Sequence, residues 1–149
     1  MSGLRLPLAV VTIMLVAAPA LAQQASPAGH VKTASGSAFI VRSNAMVAAR
    51  PGQLIFASDT LRTGGDGTVG ITLKDDTRLS LGPSSEVRLE RYVYAPGEGG
   101  FEMVLKFVRG ASAYVSGRMA KLAPDSIRLE TPSAIVGVRG TTVAISVEP

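Results

Sequence analysis

The chain has no cysteine and no tryptophan, a single histidine, and aromatic side chains at only 5% of its 149 positions. Without thiols there is no disulfide, no thiolate nucleophile and no cysteine ligand for a metal, so packing and hydrogen bonds alone must hold the fold. His30 has no second histidine to work with, and neither G-x-S-x-G nor H-E-x-x-H occurs, so the common catalytic triads and zinc sites lack their residues. Gly64-Gly65-Asp66-Gly67 has no lysine of the kind a phosphate-binding loop needs and reads as a turn. These absences describe a non-enzymatic chain with no cofactor and no metal site. An excess of one charge is missing too: 15 basic and 11 acidic side chains are spread along the sequence, and no cationic run marks a nucleic-acid interface.

What is present begins with a targeting signal. Arg5 precedes an apolar stretch from Leu6 to Val16, and Ala20-Leu21-Ala22 supplies a small-x-small pattern just before the polar Gln23-Gln24. That order predicts a cleaved secretory signal peptide over residues 1–22, with no membrane span left after cleavage and a periplasmic or secreted product. Residues 23–32 mix polar side chains with Ala, Pro and Gly and are expected to form a flexible leader containing His30. Residues 33–149 then make one domain, of a size that hides about two thirds of its surface on folding.

Within that domain the apolar residues alternate. Val69, Ile71 and Leu73 are interleaved with Thr68, Gly70 and Thr72; Leu79 and Leu81 with Arg78 and Ser80; Val87 and Leu89 with Glu86, Arg88 and Glu90. Phe101 to Phe107, Ile127 with Leu129, and Val143, Ile145 and Val147 repeat the pattern. A period of two in short segments parted by Gly, Pro, Asp and Ser predicts an all-β fold, with odd-numbered apolar side chains from about Thr33 onward lining one interior wall. No stretch after the signal reads as a helix. Successive hairpins of a sandwich and the rungs of a β-solenoid both fit such strands.

Parity fixes one register. A two-residue loop at Asp75-Asp76 would set Ile71 opposite Ser80 and throw the two apolar rows onto opposite faces. A three-residue loop, Lys74-Asp75-Asp76, pairs Ile71 with Leu79 and Val69 with Leu81, and gives Asp76 the left-handed position of the turn. Gly82 to Glu86 is also an odd count and keeps Leu81 and Val87 on one side. Ala95–Gly100 and Arg118–Ser126 read as longer loops. Outward positions carry mixed signs, as in Glu86, Arg88 and Glu90, which is the pattern of a solvated sheet face with weak cross-strand pairs. Arginine outnumbers lysine 11 to 4, which would suit recognition of carboxylates or phosphates if such a face were used.

Several motifs together are family-like. Gly36-Ser37-Ala38-Phe39, Asp59-Thr60-Leu61-Arg62-Thr63-Gly64, Thr72 through Leu81, Ser85-Glu86-Val87 and the closing Thr131-Pro132-Ser133-Ala134-Ile135-Val136-Gly137-Val138-Arg139-Gly140-Thr141 occur in the order found in the FecR domain, which the chain resembles over about residues 33 to 147. The turn signature Asp75-Asp76 departs from the family, which usually has glycine at the second position. The resemblance implies an all-β periplasmic module that receives a signal from an envelope protein. It implies no catalysis. In family regulators a cytoplasmic segment controls a sigma factor; here a signal peptide stands in that place, so a free-standing module is expected.

The partner expected first is another cell-envelope protein; an anionic cell-wall glycan is the alternative, motivated by the slight positive charge and the arginine bias. Arg139, Gly140 and Thr141 are the candidate signature residues. In a structural role Gly140 supplies a backbone conformation closed to side chains and Arg139 bonds carbonyls at a corner, whereas in a recognition role Arg139 is exposed and anchors a carboxylate.

Overall fold

The computed structural model describes residues 2–4, 25–139 and 142–148. The expected signal peptide falls almost wholly outside them. Twelve strands follow in chain order: β1 (Gly29–Ser35), β2 (Ala38–Arg42), β3 (Ala45–Ala48), β4 (Leu54–Ile55), β5 (Thr60–Thr63), β6 (Thr68–Leu73), β7 (Arg78–Leu81), β8 (Glu86–Ala95), β9 (Gly100–Val115), β10 (Ile127–Glu130), β11 (Ile135–Gly137) and β12 (Thr142–Val147). One turn of helix, α1 (Met119–Leu122), and two 3-10 turns at Pro96–Glu98 and Pro124–Ser126 complete the elements.

The strands form one sheet that curls into a half-barrel, with the long β9 as its shared spine. One wing runs β4-β1-β6-β7-β9-β12 and the other β3-β2-β5-β8-β9-β10-β11. The first half of β9 pairs with β8 and the second half with β7. Pairing is antiparallel except between β9 and β10. This single curled, almost wholly antiparallel sheet is all-β, as the alternation predicts.

Four chain segments cross between the wings side by side. Gly64 N donates to Ser37 O (2.8 Å), Ser84 N to Gly64 O (2.9 Å) and Ala111 N to Ser85 Oγ (3.0 Å), tying each crossing to the next. Thr63 is buried among them, its hydroxyl donating to Gly82 O (2.6 Å) and accepting from Ser85 N (2.9 Å). Gly110 turns β9 from one wing to the other with φ at +84°, and a Cβ there would strike the Ser85 side chain. Both facts require glycine.

The β6–β7 hairpin has the register that parity demanded, Ile71 against Leu79 and Val69 against Leu81, and Asp76 has φ at +68°. Odd-numbered apolar residues do fill the interior from Ile55 to Phe107. The single-parity expectation fails in the middle, where Tyr92 and Tyr94 pack against the core after a bulge between Leu89 and Arg91 and Val104 is buried, and it fails again on either side. Ala38 and Ile40 face inward on β2, after the chain turns at Gly36 with φ at +62°. Tyr114 faces inward after the bulge by which Glu86 and Val87 oppose Arg109 and Phe107, leaving Val108 extra. Such turns and bulges shift parity, which alternation alone does not reveal.

Residues 29–32, read from sequence as part of the leader, open β1, where Val31 is fully buried and His30 pairs with Leu54 and Thr72. Composition misled because one apolar residue, flanked by polar ones facing out, suffices in a strand paired on both sides. In the loop expected at 118–126, Met119 and Ala120 are buried in α1.

Candidate functional site

Four strands close the wings: β3, β4, β11 and β12. They differ in length and cover. β4 has two residues and β11 three. β3 has four, with Met46 and Val47 about half exposed. β12 is six residues long, Thr-Val-Ala-Ile-Ser-Val, without charge or proline, and among the described residues it pairs only with β9. Natural edges are usually blunted by charge, proline or bulges, and β12 carries none of these.

The faces of β12 are unequal. Thr142, Ala144 and Ser146 are exposed, while Val143, Ile145 and Val147 turn toward the core but are only half-buried. On an interior strand such as β6, the corresponding residues Val69, Ile71 and Leu73 are 2% exposed. The inner row of β12 is therefore partly uncovered on the side where no strand follows among the described residues.

The closing signature leads into this edge. Thr131 N donates to Ala134 O (2.8 Å) and Ala134 N to Thr131 Oγ1 (3.1 Å), a tight turn that reverses the chain into β11. Ile135 is 69% exposed there, and Val138 then anchors the crossing to β12 at 2% exposure. Arg139 is exposed beside it. Gly140 and Thr141 lie outside the described residues, so their expected roles have no structural account.

Asp75 was read from sequence as a turn former and does more. Its carboxylate is fully buried and accepts from Thr77 Oγ1 (2.7 Å), Tyr92 Oη (2.9 Å), Thr77 N (3.3 Å) and Met119 N (3.3 Å). Asp75 N in turn donates to Tyr92 Oη (3.0 Å). One side chain thus ties the β6–β7 turn to β8 and to the segment entering α1. Gly117 packs so closely on the Asp75 and Thr77 backbone that no Cβ fits. Burial, reinforced by the Asp75 charge, pushes the Tyr92 phenol well above its ordinary pKa. Four donors satisfy this carboxylate without a cation.

Asp59, in the motif Asp59 to Gly64, is equally structural. Nearly fully buried, it accepts Arg42 Nε (2.8 Å) and Nη2 (2.7 Å) together with Phe56 N (2.8 Å), and the guanidinium lies 4.7 Å from the Phe56 ring centre. The hydrogen bonds that Arg42 donates to Asp59 raise the Arg42 pKa. Among the described residues no group of three or more His, Cys, Asp or Glu is placed to hold a metal, and no helix is long and apolar enough to cross a membrane.

No curated protein and no solved structure matches the chain. The family model described as FecR protein matches residues 59–149, a span running from the buried Asp59 through the Asp75 hinge to the open edge at β12. That match covers more than half of the chain and includes the closing signature, and the chain belongs to the FecR protein family, an envelope-associated family of regulatory and signalling proteins.

Proposed function

We propose that this chain is a non-enzymatic binding module of the periplasm, and that it docks on another envelope protein by accepting an extended segment of that protein alongside β12. The observation that carries the proposal is the uncharged six-residue edge with a half-uncovered inner row of Val143, Ile145 and Val147. An added strand would meet about six outward-facing backbone groups and cover that row, so that main-chain hydrogen bonds supply affinity and alternate side chains supply specificity. The β3 edge is shorter and lies outside the family-matched residues. Linkage to envelope signalling follows from family membership, with the docked segment as the signal received.

Charging the edge tests this. In Ala144→Lys/Ser146→Lys both new side chains point outward, opposite the small Ala113 and Ala111, so the core is untouched and the melt should be unchanged. Capture of an envelope protein by the wild-type domain, lost in the double variant with the fold intact, is the expected result. Equal capture by both forms would refute docking at β12.

A further inference from the structure

A second surface carries its own signature, on the outer face of the wing that ends in β11. Register places Thr60 against Arg88, Arg88 against Lys106, and Lys106 against Glu130 in one row across four strands. Like charges directly opposite on neighbouring strands repel. Glu86 is held by Arg62 through two contacts of 2.6 Å, and Glu130, opposite Lys106 on its other side, reaches Arg128 at 3.5 Å. Arg109 stands at the end of the same face, opposite Glu86. Arg88, Lys106 and Arg109 are exposed and make no ion pair among the described residues.

Between Lys106 and Arg109 lies Val108, the extra residue of the β9 bulge, exposed at 38%. Bulges commonly re-aim a side chain beside a functional surface. An exposed apolar residue thus lies on the strand between two cations that make no ion pair among the described residues. Elsewhere on this face opposite charges meet, as Arg91 meets Glu102 at 3.2 Å. The repulsive pair is thus a local exception.

We infer that this patch binds an acidic, extended segment of a protein, with carboxylates engaging Arg88/Lys106 and Arg109 and an apolar side chain resting on Val108. Lys106 and Arg109 stand opposite Arg88 and Glu86, which are two residues apart, so the bulge brings them to roughly 7 Å along the strand, which matches carboxylates two residues apart in an extended peptide. The forked guanidinium of arginine suits carboxylate oxygens. A uniformly anionic glycan or lipid surface fits less well, because it would also meet Glu86, Glu90, Glu102 and Glu130. This surface is separate from the β12 edge, and either can fail without the other.

The probe is a nine-residue peptide with three glutamates flanking a valine, compared with its glutamate-to-lysine version, with a soluble polyuronate and with phosphatidylglycerol vesicles. The glutamate peptide should bind saturably, weaken as salt rises, and lose about tenfold or more in affinity in Arg88→Ser/Lys106→Ser, whereas Arg78→Ser on the other wing leaves it unchanged. No saturable peptide binding, binding indifferent to the double substitution, or tighter binding of polyuronate or vesicles would each overturn the inference.

Discussion

Replacing Asp75 by alanine removes one carboxylate and leaves four buried or half-buried donors without their acceptor: Thr77 Oγ1, Thr77 N, Tyr92 Oη and Met119 N. Hydrogen bonds to a charged acceptor contribute about 1.5–3 kcal/mol each, but the two at 3.3 Å are long and the two hydroxyls can turn toward other acceptors. Counting mainly the bonds at 2.7 and 2.9 Å gives a loss of about 3–5 kcal/mol for Asp75→Ala. Domains of this size are stable by about 5–15 kcal/mol, so the variant should sit near the edge of folding. Asp75→Asn keeps the shape and one acceptor oxygen, yet turns an N–H toward Met119 N or Thr77; it should cost about 1–3 kcal/mol. Urea titrations of both variants and of Tyr92→Phe, completed as a double-mutant cycle, measure the terms separately. The coupling between positions 75 and 92 should exceed about 0.5 kcal/mol. A cost below about 1 kcal/mol for Asp75→Ala would show that the network does not tie the hairpin, β8 and α1 together.

Three further outcomes follow from the geometry. Gly110→Ala, which places a methyl group into Ser85 at a backbone φ of +84°, should destabilise by about 3 kcal/mol or more in the same titration. Asp76→Gly relieves a left-handed residue and gives up only a largely exposed pair with Arg118 at 3.1 Å; its stability should be unchanged or higher by up to about 1 kcal/mol, and a clear fall in Tm would contradict the turn assignment. Tyr92 keeps its proton in the folded state above the ordinary pKa of 10.0, while the unfolded chain releases it there, so its contribution is intact below pH 10 and declines as pH rises beyond it. Melts from pH 8 to 11 should show a steeper alkaline fall for the wild type than for Tyr92→Phe.

Alternation made the strands and the three-residue turn legible because a period of two and a fixed loop parity leave few registers open. The points where parity changes were not legible: Gly36 and Val108 each look like ordinary turn or strand residues until the partner strand is known. The same limit hid β1, since Val31 gains its burial from β4 and β6, which are distant in sequence. At the candidate sites, the closing signature pointed to the neighbourhood of β12 but not to its open edge. Edge status depends on which strands lack neighbours, which is a property of topology. Asp75 looked like half of a turn pair because its acceptor role needs Tyr92 and Met119, 17 and 44 residues away. Arg88 and Lys106 looked like members of a balanced face until register set them opposite each other.

Docking at β12 is tested most directly by photo-crosslinking in intact cell envelopes, with a photoreactive side chain placed in turn at Ala144, Ser146, Ser80 and Ala48. The account predicts one defined protein adduct from positions 144 and 146, absent from 80 and 48. Adducts of equal strength from all four positions, or none from β12 while another position reacts, would contradict it.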